Sequence, residues 1–199
     1  MNRRLLTTLF LFPALALSAC SRTPAPAPAP APATASEHKA ITTEKLEPYS
    51  CGTIQRLHTF NGIFLASQPA ADDLRQAQKG GVKTVINLRP ESEIKEFDEP
   101  KLVGELGLHY VNIPFAAPAE LTDAVFAKAR ESLVQAEKPI LLHCHSGNRV
   151  GAIWLAHRVL DDGLAYDAAL AEAKEVGLKA PALEARAKEY IDAEHAPKR

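Results

Sequence analysis

A cysteine set between a buried strand and a helix constrains this chain more than any other feature. The apolar run Ile140-Leu141-Leu142 leads into His143-Cys144-His145-Ser146-Gly147-Asn148-Arg149-Val150-Gly151, and a helical pattern from Val150 to Leu160 leads out. A strand that passes to a helix through so short a turn predicts an α/β architecture, with the turn at the carboxyl end of the strand, where open sheets bind ligands. Backbone N–H groups of the turn and the helix N-terminus favour negative charge there. A thiolate, the reactive form of cysteine, suits that place. Arg149 can hold two oxygens of an oxyanion through its planar fork. Gly147 lets the backbone turn without a Cβ clash and aims its N–H inward. His145, Ser146, Gly147 and Asn148 are therefore expected to cradle an oxyanion.

The alternatives are a plain buried cysteine and a metal site. A lone cysteine after a strand often packs as a small hydrophobe. Here strand, cysteine, glycine turn, arginine and helix agree on a reactive site. Zinc bound by His143, Cys144 and His145 conflicts with the alternation of side chains along a strand. No CxxC or HExxH occurs elsewhere. No metal or cofactor is expected.

The rest of the chain reads as alternating strands and helices. Thr53–His58 and Ile63–Ala66 form a predicted hairpin around Asn61-Gly62. Helices are expected over 70–79, closed by Gly80-Gly81, and over 92–106, where Pro100 should break or bend the helix. Further helices are expected over 122–136, capped by Thr122, and over 149–161, 166–176 and 181–193, the last with proline at its first position. Strands fall at 82–88, 109–113 and 140–143. The fold expected is a mixed sheet covered on both faces, spanning residues 49–195.

The N-terminus is a separate matter. Arg3 and Arg4 precede an apolar stretch, Leu5 to Leu17, that is too short to span a bilayer as a helix. Leu17-Ser18-Ala19-Cys20 follows. This resembles a bacterial lipoprotein signal, residues 1–19, with Cys20 as the lipidated residue. The alternative is an ordinary signal peptide with an incidental cysteine. The resemblance implies a periplasmic domain anchored to a membrane, and Ser21 after the cysteine implies the outer rather than the inner membrane. Residues 20–48 read as a linker. Its alternating Pro-Ala run favours polyproline II and would stretch roughly 30 Å at about 3.1 Å per residue. No charged or aromatic anchor interrupts that run, which argues against a ligand for a proline-binding domain. If Cys20 carries lipid, Cys51 and Cys144 remain, and Cys51 is expected as a free or transiently paired thiol. The chain has 23 Lys plus Arg against 24 Asp plus Glu, without a basic block. Nucleic-acid binding therefore has no electrostatic support.

The Cys144–Arg149 loop resembles the signature loop of cysteine-dependent phosphatases, the protein tyrosine and dual-specificity phosphatase superfamily. Upstream, Gly62-Ile63-Phe64-Leu65-Ala66-Ser67-Gln68-Pro69, Gly81-Val82-Lys83-Thr84-Val85-Ile86-Asn87-Leu88-Arg89 and Tyr110-Val111-Asn112-Ile113-Pro114 look like segments of its small bacterial members. More narrowly, the chain is similar to the phosphatase-like domain of beta-lactamase-hydrolase-like proteins, over about residues 50 to 178. The resemblance implies a protein tyrosine phosphatase-like fold and a phosphocysteine intermediate on Cys144. It also implies a phosphorylated or other small oxyanion substrate.

Two departures stand out. Four residues separate cysteine and arginine, where the common phosphatase loop has five, and Val150 stands where many members have Ser or Thr. The shorter loop is also common in rhodanese-type sulfurtransferases, so a Cys144 persulfide is the alternative chemistry. A non-catalytic anion-binding module is the third reading, because the loop after Pro114 lacks the Asp that often serves as general acid. Glu120 is the candidate acid, and Asp123 suits the first turn of the following helix. Arg89 is a candidate for a second anionic group, with an ion pair to Glu91 or Glu93 as its alternative. His143 is expected beneath the loop, hydrogen-bonded so as to orient it. His145 is expected at the mouth of the site, and Trp154 in the core.

Overall fold

The computed structural model describes residues 43–196. The signal segment, Cys20 and the Pro-Ala run lie outside the described residues. Six strands form one sheet: β1 (Glu47–Pro48), β2 (Leu57–Phe60), β3 (Ile63–Ala66), β4 (Thr84–Asn87), β5 (His109–Asn112) and β6 (Ile140–His143), in the order β1-β2-β3-β6-β4-β5. The first three run antiparallel, and β3, β6, β4 and β5 run parallel. The helices are α1 (Ala71–Lys79), α2 (Glu99–Glu105), α3 (Asp123–Gln135), α4 (Asn148–Leu160), α5 (Tyr166–Val176) and α6 (Pro181–His195). Among the described residues, no helix is long and apolar enough to cross a membrane.

Side-chain alternation explains the layers. Ile63, Leu65, Ile86, Ile140 and Leu142 point to one face and pack with Phe126, Trp154, Ala173 and Ile191 from α3, α4, α5 and α6. Phe64, Ala66, Val85 and Leu141 point to the other, against Leu74 of α1 and Leu102 and Val103 of α2. Each fully buried aliphatic side chain contributes about 1.5–3 kcal/mol. β6 lies between β3 and β4, so its carboxyl end opens at the middle of the sheet edge.

The β2–β3 hairpin closes on Asn61 (φ +45°) and Gly62 (φ +78°), with Phe60 opposite Ile63. Two consecutive left-handed residues are what a two-residue hairpin turn requires. Residues 43–48, read from sequence as the end of the linker, lie against the domain instead. β1 pairs with β2, the Thr43 hydroxyl donates to the Thr59 carbonyl at 3.3 Å, and Leu46 packs on the core.

The segment 92–106 differs from expectation. Pro100 does not bend a long helix; it sits in the first turn of α2, whose N-cap Asp98 accepts the Lys101 N–H at 3.1 Å. Proline tolerates that position because its missing N–H has no intrahelical partner there. Residues 91–93 form a separate 3-10 turn. That break brings two glutamates, Glu93 and Glu99, back over the carboxyl ends of the strands.

Helix α4 is buried from Val150 to Val159, because α3, α5 and α6 wrap around it. Its polar residues have partners: the Trp154 indole donates to Glu172 at 3.1 Å, and Arg158 bonds Glu172 and Asp162. At Gly151, α4 lies close against α5 and Leu178. A Cβ there would lie 2.7 Å from the Ala173 carbonyl and 2.8 Å from Leu178.

Candidate active site

Cys144 follows the last residue of β6 and is 1% exposed. The Gly147 N–H donates to its Sγ at 3.2 Å. Gly147 has φ +89°, a left-handed conformation that side chains disfavour, and a Cβ there would meet the Val176 carbonyl at 2.6 Å. Glycine is thus required both by the turn and by its neighbours. The loop is fixed from two sides. The Gln68 N–H bonds the His145 carbonyl at 3.1 Å, and the Asn148 side-chain oxygen accepts the N–H groups of Lys179 at 2.8 Å and Ala180 at 3.1 Å.

Arg149 lies in the first turn of α4. Its Nη1 donates to Glu93 Oε1 at 3.0 Å and to the Phe115 carbonyl at 2.8 Å, and its Nη2 donates to Glu93 Oε2 at 2.6 Å. This bidentate carboxylate clamp fixes the plane of the guanidinium. The Arg149 hydrogen bonds outweigh partial burial and hold the Glu93 carboxyl below its ordinary range. Sequence reasoning did not single out Glu93 for this role, naming it only as a possible ion-pair partner of Arg89.

Arg89 departs from the expectation that it displays a charge to substrate. It is buried, donates to Gln68 Oε1 and to the Glu93 carbonyl, and its Nε lies 3.5 Å from Glu93 Oε2. Its fork is occupied by protein groups and secures the turn that carries Glu93. The alternative reading, an ion pair with Glu93, is the one the structure shows.

His143 is fully buried as expected, but it bonds Glu99 rather than the loop: Nε2 lies 3.0 Å from Glu99 Oε1. Asn87 donates to the same oxygen at 2.8 Å, and Gln68 donates to Glu99 Oε2 at 2.9 Å. Asn87 also donates to the Tyr110 hydroxyl at 3.1 Å. A wholly buried carboxylate thus ties β4, β6 and the Gln68 segment together beneath Cys144. Burial drives the Glu99 carboxyl upward, but the hydrogen bonds from His143, Gln68 and Asn87 prevail and leave it below its ordinary value. The Tyr110 phenol is pushed up to about 12 by burial and then by the Glu99 charge. Nothing in the sequence marked Glu99, an acid next to a proline in a polar stretch.

Glu120 ends a 3-10 turn in the loop after β5, is exposed, and accepts the Ala116 N–H at 2.7 Å. Asp123 takes the first turn of α3 and pairs with Arg186. A cleft of about 870 Å³ opens beside the loop, lined by His145, Ser146 and Asn148 together with Arg56, Gln68 and Lys179. His145 and Ser146 are exposed at its edge. Cys51 and Cys144 are both free thiols; burial, then the Asp73 charge, raises the Cys51 pKa.

The fold is that of solved phosphatases. The P. aeruginosa TpbA crystal structure superposes with a TM-score of 0.58 at 22% identity, covering 74% of this chain and 89% of that one. Tk-PTP in its active form gives a TM-score of 0.55 at 18% identity, covering 66% and 92%. Among curated proteins, the beta-lactamase hydrolase-like protein of Agrobacterium fabrum is 29% identical over 103 residues, half of this chain and 24% of that protein. The chain thus aligns with about a quarter of that relative's length. The stretch 57–160, from β2 to the last residue of α4 and including both Cys144 and Arg149, matches the phosphatase-like domain of beta-lactamase hydrolase-like proteins, and the chain belongs to that family.

Proposed function

We propose that this domain is a cysteine-dependent phosphatase that works through a phosphocysteine. The observation that carries the reading is the Gly147 N–H directed at the Cys144 sulfur from 3.2 Å, one turn from a clamped Arg149. An N–H so placed stabilises a thiolate, and the loop amides next to it suit an oxyanion. In the first step Cys144 Sγ attacks phosphorus, the P–O bond to the leaving group breaks, and a proton reaches the departing oxygen. Glu120 is the proposed donor of that proton. In the second step water attacks the phosphocysteine, giving up a proton to the same carboxylate, and phosphate leaves as the thiolate returns. With Val150 in place of a hydroxyl, the departing sulfur in the second step has the Gly147 N–H as donor but no hydroxyl beside it. Breakdown of the phosphocysteine is accordingly the proposed slow step.

The four-residue spacing and Val150 favour one other chemistry. Thiosulfate would give up its outer sulfur to Cys144, releasing sulfite and leaving a persulfide; cyanide would take that sulfur as thiocyanate. One experiment separates the readings. The protein is given 4-nitrophenyl phosphate in one assay and thiosulfate with cyanide in another, with Cys144→Ser as control in both. Phosphate release that vanishes in the variant supports the phosphatase. Thiocyanate formation without phosphate release replaces it with sulfur transfer. Silence in both, with oxyanion binding retained, leaves an anion-binding module.

The place of action proposed is the periplasm, with the domain held by a lipid on Cys20, most simply in the outer membrane. The Leu17–Cys20 sequence and the Pro-Ala run that follows it support this reading. Cys20→Ala should move the protein to the soluble fraction or stop its maturation. Unlipidated wild-type protein in the cytoplasm would overturn it.

A further inference from the structure

The cleft beside the catalytic loop carries two cations that the chemistry above does not use. Arg56 and Lys179 line it together with the loop residues His145, Ser146 and Asn148. Both are held in place by the loop itself. The aliphatic stem of Arg56 packs over Gly147 and Gly177: a Cβ on Gly147 would lie 2.9 Å from Arg56 Cδ, and one on Gly177 would lie 3.0 Å from it. Gly147 is the residue whose N–H reaches the Cys144 sulfur. Lys179 has its backbone N–H fixed by the Asn148 side chain at 2.8 Å.

Neither cation is neutralised locally. Among the described residues the Arg56 guanidinium bonds only the carbonyl of Glu175, at 3.3 Å, while the Glu175 carboxylate is 3.6 Å from His58. Lys179 forms no ion pair among the described residues. The one carboxylate lining the cleft, Glu96, lies 3.8 Å from Arg89. Elsewhere on the domain Arg130, Arg158 and Arg186 each have a carboxylate partner. A phosphate seated in the loop would leave most of an 870 Å³ cleft for its leaving group. That group would face Arg56 and Lys179.

We infer that this cleft is a second anion subsite, and that the substrates preferred are phosphomonoesters whose leaving group bears a second negative charge. The inference rests on the phosphatase reading for the chemistry, but the binding preference can be measured without turnover. Two screened, partly exposed cations each contribute a modest attraction, so a preference of about tenfold at low ionic strength is expected, fading as salt is added.

The test compares 4-carboxyphenyl phosphate with its neutral isostere, 4-carbamoylphenyl phosphate. Binding of each to the full chain carrying Cys144→Ser is measured by calorimetry, and hydrolysis of each by the wild type is measured in parallel. The carboxylate ester is expected to bind about tenfold tighter. Lys179→Gln and Arg56→Gln should each shrink that ratio about threefold, whereas Arg56→Lys should keep it. Lys179 bonds the loop through its backbone N–H, which Lys179→Gln retains, so this variant separates charge from disturbance of the loop. Equal affinity for the two esters, or a ratio indifferent to both charge-removing variants, overturns the subsite. So does failure to bind either ester. A binding preference without any hydrolysis by the wild type leaves the subsite standing and removes the phosphatase reading instead.

Discussion

Removing the buried Glu99 carboxylate should destabilise the domain more than any single change at the rim of the site. Its side chain is fully buried and accepts from His143, Asn87 and Gln68. Each hydrogen bond to a charged acceptor is worth about 1.5–3 kcal/mol, and a buried donor left without a partner costs about 1–3 kcal/mol. The three donors share one network, so their losses do not simply add. Glu99→Ala is expected to cost about 4–5 kcal/mol. Glu99→Gln keeps one oxygen that can still accept from Asn87 and His143, but its amide nitrogen faces the Gln68 amide nitrogen. One donor–donor conflict of about 2 kcal/mol is expected. Urea denaturation should show the midpoint falling in that order with the slope unchanged. The acid limb gives an independent check. The folded Glu99 carboxyl lies below its ordinary 4.5. Its contribution is therefore fully present above about pH 4.5 and is lost as pH falls through the depressed value. Glu99→Gln should lack that component of acid destabilisation. If both variants unfold within about 0.5 kcal/mol of the wild type, the buried carboxylate is not the support described here.

Three further outcomes are expected. Gly147→Ala forces a methyl group 2.6 Å from the Val176 carbonyl at φ +89°, so it should lower the melting temperature and abolish turnover of 4-nitrophenyl phosphate; wild-type rates would refute the loop geometry. Glu93→Gln sets an amide against the Arg149 fork, and should raise KM about tenfold while lowering kcat less, as expected for a residue that positions the arginine without touching substrate; an unchanged KM would show that the clamp has no part in binding. Tyr110, pushed up to about 12, should remain largely un-ionised at pH 11 when read by ultraviolet absorbance just after a pH jump, and should titrate lower in Glu99→Gln, with burial still holding it above its ordinary value. Because its pKa is raised, its contribution to stability is complete below pH 10 and fades between 10 and about 12.

The parts of this structure visible in the sequence are those written in local chemistry. Asn61-Gly62 specifies its own hairpin turn, Thr122 its own helix cap, and the Cys144–Arg149 loop its strand and helix. Pro100 misleads because proline reads as a break whether it interrupts a helix or begins one. The supports of the site were hidden for a different reason. Glu93 and Glu99 meet Arg149 and His143 only after a chain reversal across the ends of the strands, and both pairs are more than 40 residues apart. Arg89 stood as a candidate for a second anionic group or as an ion-pair partner of Glu91 or Glu93, because its position at the end of β4 supports both readings locally; its burial and its bond to Gln68, which decide between them, come from the fold.

The contacts behind the Cys144–Arg149 loop bear on where this domain ends. The family match stops at residue 160. Yet Gly147 rests against the Val176 carbonyl, Asn148 holds the amides of Lys179 and Ala180, and Gly151 abuts Ala173. A fragment cut at the boundary of recognisable ancestry would keep Cys144 and Arg149 and lose the surface against which their loop is moulded. It would also bare a helix, α4, that is apolar on nearly every side. Helix α5 and the segment that joins it to α6 thus belong to the candidate site by contact. In divergent relatives, that stretch is where the shape of the site can change while the signature loop stays the same.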